Sequence, residues 1–213
     1  MKKRLVFFDV DGTLTLEKSI WQYLLEKINR WQGAGEVNLH QYLQGRIDYY
    51  EFCRRDAELF RSVRYSELKK IAFGVPKYQG LDRLFAYFAQ RDYTICLLST
   101  GLKLLTDYFT ECYRIDLCFV NNIAAKADIC TGEPIINVWE GRKGLLATQI
   151  VGEQKPEFVV AFGDSRGDIP LFEKAHFSIG INSGDIQVKA ATSLDFYGSD
   201  YTDLCPILEQ CLG

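Results

Sequence analysis

Near the start of the chain an apolar run, Leu5-Val6-Phe7-Phe8, stops abruptly at two carboxylates one residue apart, Asp9 and Asp11, followed by Gly12 and Thr13. The run predicts a buried strand. Alternation along an extended backbone sets Asp9 and Asp11 on the same side, and Gly12 permits the sharp departure of the chain that follows. Two like charges so close together call for a cation. The plainer reading is a strand ending in an Asp-Gly turn with both acids solvated. A calcium-binding loop is excluded, because its pattern needs glycine sixth and glutamate twelfth, whereas Gly12 is fourth and Ile20 twelfth.

After Thr13 the periodicity becomes helical. Ile20, Tyr23, Leu24 and Ile28 share one face; Tyr49, Phe52, Cys53, Leu59 and Phe60 mark a second helix beyond the Gly45 break; a third spans 66–73 and ends at Gly74-Val75-Pro76. Residues 15–76 thus form a helical block. From Gly80 onward helices and strands alternate: helix 81–90, strand 93–98, helix 103–113, strand 117–120, a hairpin over 121–139 turning at Thr131-Gly132-Glu133-Pro134, helix 142–151, strand 158–162, weaker strands at 177–181 and 194–197, and a helix over 202–211. With 213 residues, 47% of them hydrophobic, the chain can bury a core domain carrying a smaller insert. Strands separated by helices pair in parallel through right-handed crossovers. The fold expected is α/β, a doubly wound, Rossmann-like, mostly parallel sheet made by residues 1–14 and 77–213, with residues 15–76 inserted as a helical cap.

Ligands of such sheets sit at the carboxyl ends of the strands. Three predicted strands end there in reactive groups: the first in Asp9 and Asp11, the second in Ser99-Thr100-Gly101, the third in Gly163-Asp164-Ser165-Arg166-Gly167-Asp168. Singly, each has an ordinary explanation as a helix cap or polar loop. Together at one edge they outline a catalytic site.

The chemistry that suits them is phosphoryl transfer. The Asp9 carboxylate attacks phosphorus to give an aspartyl-phosphate that water hydrolyses, while Asp11 protonates the leaving oxygen and then takes a proton from water. Four acids repel a phosphate dianion, by roughly 4 kcal/mol per pair of unit charges 4 Å apart at an effective dielectric near 20. A divalent cation is therefore required, and oxygen-only ligands favour magnesium, with Asp9, Asp164 and the backbone carbonyl of Asp11 as a reasonable set. Ser99, with the backbone N–H groups of Thr100 and Gly101 at a helix start, offers donors to the phosphoryl oxygens. Lys143 or its neighbour Arg142 supplies a fixed positive charge.

These motifs, Phe8-Asp9-Val10-Asp11-Gly12-Thr13, Leu98-Ser99-Thr100-Gly101, Arg142-Lys143-Gly144 and Gly163-Asp164 with Asp168 four residues on, fall in the order of the haloacid dehalogenase superfamily. The chain resembles its phosphatase branch, and within that the phosphoserine-phosphatase-like group. The resemblance implies Asp9 as nucleophile and metal ligand, Asp11 as acid/base, Ser99 and Lys143 as phosphoryl binders, Asp164 as metal ligand, and Asp168 as the group orienting Lys143 or metal-bound water. It implies a magnesium-dependent hydrolase of a small phosphorylated metabolite; a phosphotransferase or phosphomutase is the nearest alternative, and a non-catalytic binding module a more distant one. Phosphoserine phosphatases resemble one another in an acid soon after the first motif and a cap arginine, which hold the substrate amine and carboxylate. Lys18 and Asp56 stand at those positions, with Glu17, Arg54 and Arg55 one or two residues away. A phosphomonoester other than phosphoserine is expected.

The formal charge of −3, without a long basic run, gives no general attraction to nucleic acid or anionic lipid. No apolar stretch is long enough to cross a bilayer, and the four-residue run before Asp9 is too short for a signal peptide. Seven cysteines with no CxxC pair fit reduced thiols in the cytoplasm. Trp21, Tyr23, Trp31, Tyr49, Tyr50 and Phe52 are read as helical-bundle core rather than a substrate cage.

Overall fold

β1 (Arg4–Phe8) runs through the centre of a seven-stranded sheet, hydrogen-bonded to β2 (Tyr93–Leu102) on one side and β5 (Phe158–Gly163) on the other. The computed structural model describes residues 3–212. Continuous apolarity in β1 is explained by burial on both faces: Val6 and Phe8 pack with Val160 and Phe162 on one side, Leu5 and Phe7 with Val159 and Ala161 on the other. Phe8 stacks on Phe162 with ring centroids 4.5 Å apart.

Strand order is β4-β3-β2-β1-β5-β6-β7. β3 (Leu117–Lys126), β6 (Phe177–Ile181) and β7 (Leu194–Phe196) continue the parallel pairing, and only β4 (Ile129–Ile135), at one edge, is antiparallel. The chain winds outward from β1 through β2 and β3, then restarts on the other flank with β5. The crevice between β1 and β5 is where a doubly wound sheet binds its ligands.

Between β1 and α5 (Leu81–Gln90) lies the helical insertion: α1 (Ile20–Lys27), α2 (Glu36–Leu43), α3 (Tyr49–Glu58) and α4 (Tyr65–Phe73). The side chains of Ser19 and Asp48 accept hydrogen bonds from the backbone of Gln22 and Glu51, capping α1 and α3. α2 was not resolved by the sequence pattern; Gly33, at φ 84°, reverses the chain between α1 and α2. At its base the insertion is closed by a bridge between Thr15 and Lys77. Its far end is tied to the sheet edge, where Ser62 N–H donates to Cys130 O (3.0 Å), Cys130 N–H to Val63 O (2.9 Å) and Tyr65 N–H to Asp128 O (2.8 Å).

After β2 follow α6 (Lys103–Cys112), the β3–β4 hairpin, α7 (Glu140–Gln154), α8 (Ile169–Phe172), α9 (Ile186–Ala191) and α10 (Cys205–Leu212). The short α8 and α9 carry too few turns for a periodic signal. Among the described residues no helix is long and apolar enough to cross a membrane.

The hairpin corrects one expectation. Its turn is not at 131–134 but at Ala127-Asp128, both left-handed at φ 48° and 67°. Two consecutive left-handed residues make the tight turn whose twist matches the flanking strands. Pro134 sits inside β4, which, as the sheet's edge strand, can dispense with a donor. Asn adopts this conformation more readily than Ala, so Ala127→Asn is expected to raise stability by about 0.5–1 kcal/mol in urea unfolding.

Candidate active site

The carboxyl ends of β1 and β5 deliver Asp9 and Asp164 to the crevice. Asp9 follows β1 directly, its N–H still paired with Phe162 O at 3.0 Å, and Thr13 Oγ1 donates to its Oδ2 at 3.3 Å. Lys143, in the first turn of α7, points inward instead of out to solvent. Its Nζ donates to Asp9 Oδ1 at 2.7 Å and to Asp168 Oδ1 at 2.5 Å, and it is 3% exposed. The other oxygen of Asp168 accepts from Asp164 N, Ser165 N and Ser165 Oγ, each at 3.1 Å. Asp168 is thereby fixed by its own loop and in turn fixes the amine.

One oxygen each from Asp9, Asp164 and Asp168 lie within 4.8 Å of one another. Burial, reinforced by the charge of Asp168, drives the Asp9 carboxyl well above its ordinary pKa, with Lys143 opposing. Asp164 is raised in the same way, opposed by Lys18, whose Nζ lies 2.5 Å from Asp164 Oδ2. Burial works against the charge on Lys143, but Asp168 and Asp9 overcome it and hold the amine above its normal value. Asp11 is pushed up to about 7 by burial, with a bond from the Ile20 backbone pulling the other way. Its Oδ1 is buried and, among the described residues, has no hydrogen-bond partner.

Four acids, Asp9, Asp11, Asp164 and Asp168, therefore face two amines, Lys18 and Lys143. Surplus negative charge, hard oxygen donors and their mutual spacing fit a divalent cation such as magnesium. Backbone closeness is part of the fit. Gly12, at φ 76°, lies so near that a Cβ on it would meet Asp164 Oδ2 at 2.4 Å.

The Ser99-Thr100-Gly101 segment is a bulge, not a helix start. β2 pairs Leu98 with Phe119 and next Leu102 with Asn121, so the register shifts across it. α6 begins only at Lys103. Ser99 is buried and its Oγ accepts from Gly101 N–H at 3.0 Å, while Thr100 lines the crevice with Asp9, Asp11, Lys143 and Asp164. Gly101 backs onto the acid: a Cβ there would stand 2.7 Å from Asp11 Oδ2. Arg142, the competitor of Lys143, instead lies over the Trp139 ring at 5.1 Å.

A family model for haloacid dehalogenase-like hydrolases matches residues 6–173. The chain belongs to this family. It is 24% identical to a phosphoserine phosphatase of Methanocaldococcus jannaschii, across 84% of this chain and 85% of that one. To the phosphoserine phosphatase of Wolinella succinogenes it is 26% identical, across 79% and 82%. The structure of a phospho-aspartyl intermediate analogue of phosphoserine phosphatase shares the fold with a TM-score of 0.81 at 19% identity, covering 97% of this chain and 99% of the other. A substrate-bound phosphoserine phosphatase complex matches equally, at 0.81, 18%, 97% and 99%. The protein is a phosphoserine-phosphatase-like hydrolase with the Rossmann-like core of its family.

In this hydrolase the insertion lies over the crevice, closing a cavity of about 290 Å³ with Lys18, Trp21, Tyr42, Tyr49, Phe52, Cys53 and Asp56. Reading the aromatics as bundle core holds for Trp21 and Trp31, both buried in the core, but Trp21 also lines the cavity, together with Tyr49 and Phe52. Trp21 Nε1 also donates to Thr100 O at 3.3 Å. Arg54 and Arg55 both turn to Glu51, at 2.7 and 2.6 Å. Sequence reasoning gave Lys18 no part beyond a mismatch, although it pairs with Asp164. It also passed over Asn121, whose buried Nδ2 reaches Tyr49 Oη (3.2 Å), Thr100 O (3.0 Å) and Val138 O (2.8 Å). The sequence pattern ends this strand at 120 and puts Asn121 at the start of the hairpin, whereas it lies inside β3.

Replacing Lys143 by Met leaves Asp9 and Asp168 buried without their counter-charge. In EDTA the variant is expected to lose about 3–5 kcal/mol of unfolding free energy. Unchanged urea denaturation would show that the amine contributes nothing to holding the two acids.

Proposed function

We propose that this hydrolase cleaves small phosphomonoesters through an aspartyl-phosphate on Asp9, with magnesium as cofactor. The observation that carries the reading is the Lys143 amine clamped between Asp9 and Asp168, beside an Asp11 whose buried oxygen awaits a partner. Lys143 sets the plane of the Asp9 carboxylate and places positive charge where phosphoryl oxygens would lie.

In the first step an Asp9 oxygen bonds to phosphorus as the ester P–O bond breaks, and the departing alkoxide takes the proton of Asp11. In the second, water attacks phosphorus, gives its proton to the Asp11 carboxylate and frees Asp9 and inorganic phosphate. Asp9, Asp164 and the Asp11 carbonyl would hold the cation, which when bound supplies charge that offsets the crowded acids and the phosphate. Asp168 positions Lys143. Thr100 and Ser99 serve the phosphoryl oxygens from the bulge near the end of β2, with the Gly101 amide available once it releases Ser99.

Residues 15–76 act as a cap over a core made of 1–14 and 77–213. The relatives named phosphoserine phosphatases fix the reaction class more firmly than the substrate. Lys18 is engaged by Asp164, Lys143 by Asp9, and Arg54 and Arg55 by Glu51, so among the described residues the cavity offers no spare cation to a substrate carboxylate. Phosphoserine is accordingly disfavoured.

Asp9→Asn is expected to abolish phosphate release from 4-nitrophenyl phosphate while leaving circular dichroism unchanged; substantial residual turnover would remove Asp9 from its role. EDTA should abolish wild-type activity and magnesium restore it. Gly101→Ala pushes a methyl group into Asp11, and a displacement of that size costs about 100-fold in turnover. Wild-type kinetics in Gly101→Ala would show that Asp11 has room to spare.

A further inference from the structure

The outer half of the cavity has a composition that phosphate chemistry does not explain. α3 contributes Tyr49, Phe52, Cys53 and Asp56, the i, i+3, i+4 and i+7 positions of one helical face, and Trp21 and Tyr42 face them from α1 and α2. Tyr42 lies parallel to Phe52 with centroids 4.9 Å apart, and Tyr49 stands at 70° to Tyr42 at 6.0 Å. The rings therefore meet at a corner.

Asp56 is set among these rings. It is 1% exposed, yet among the described residues its side chain receives a single hydrogen bond, from Asn38 Nδ2 to Oδ1 at 2.8 Å. Among the described residues no Lys, Arg or His pairs with it. Burial raises its carboxyl to about 6, with the Asn38 bond opposing. A buried carboxylate without a counter-ion is costly and is normally paired. The other acids of the cavity sit at the phosphate end, where Lys143 and Lys18 already hold Asp9 and Asp164.

Taking the phosphomonoesterase reading as given, we infer that the ester's alcohol carries an ammonium group and no carboxylate, a phospho-amino-alcohol whose cationic nitrogen enters the corner of Tyr42, Tyr49, Phe52 and Trp21 against Asp56. Aromatic faces attract such a cation, most strongly when it is stripped of water, and the carboxylate completes its charge balance. A zwitterionic alcohol such as serine would bring a second carboxylate towards Asp56 with no free cation among the described residues of the cavity to receive it.

The test compares phosphocholine and phosphoethanolamine with 3,3-dimethylbutyl phosphate, the neutral carbon isostere of phosphocholine, and with phosphoserine, on the magnesium-loaded enzyme. The better cationic ester is expected to exceed the isostere in kcat/KM by about tenfold or more, and Asp56→Asn to lower that ratio by a similar factor. Should Asp56→Asn fail to fold, Phe52→Leu, which keeps apolar volume but removes a ring, is expected to lower the same ratio severalfold. Equal use of charged and neutral esters, preference for phosphoserine, or an unchanged ratio in the variants would overturn the inference. Calorimetric titration with choline separates this outcome from failure of the reaction itself. If no ester, 4-nitrophenyl phosphate included, is turned over while choline binds and Asp56→Asn abolishes binding, the cation pocket stands and the phosphatase reading falls.

Discussion

A single buried amine organises this protein. Lys143 leaves α7 to sit between Asp9, at the end of the central strand, and Asp168, in the loop after its neighbour. An unpaired ammonium in that position is far too costly to bury, and so are two adjacent carboxylates. Each cost is offset only when the other groups are present. The pairing therefore fixes β1, β5 and α7 relative to one another and leaves Asp9 held in one orientation at the mouth of the crevice.

The sheet side and the insertion side of the cavity are built on different principles. At the sheet side, strand termini and a bulge present backbone and short acids, and Gly12 and Gly101 allow approaches that any side chain would block. Across from it, one face of α3 presents flat rings and Asp56, on a helix of the insertion that packs against the edge strand β4. Asn121 connects the two, because the same amide nitrogen reaches Thr100 on one side and Tyr49 on the other. An amide has only two protons for three acceptors, so these bonds are shared and sensitive to small shifts.

Much of the core was legible in the sequence because a buried parallel strand leaves little freedom: Leu5–Phe8 and Phe158–Phe162 read as strands, and the acids after them had to emerge at one edge. Asp9, Asp11, Asp164 and Lys143 do converge there. The Ser99 segment was read as a helix start because Ser and Gly are common at caps, whereas the ladder with β3 carries the strand on to Leu102. Pro134 looked like a turn signal and proved to be an edge-strand residue. The cavity wall was hidden for a different reason. An aromatic at helical spacing looks the same in sequence whether its neighbour is another helix or an open space, and only the placement of α3 over the crevice separates Trp31 from Phe52.

The strap between the insertion and the β3–β4 hairpin has a mechanical corollary. A lid joined to its base only through two linkers swings as a door does. Here the bonds from Ser62, Val63 and Tyr65 to the hairpin fasten the opposite rim as well, so wide rotation requires unzipping that seam or carrying the hairpin along. The rim opposite the linkers is thus held by backbone bonds at residues well away from the acids.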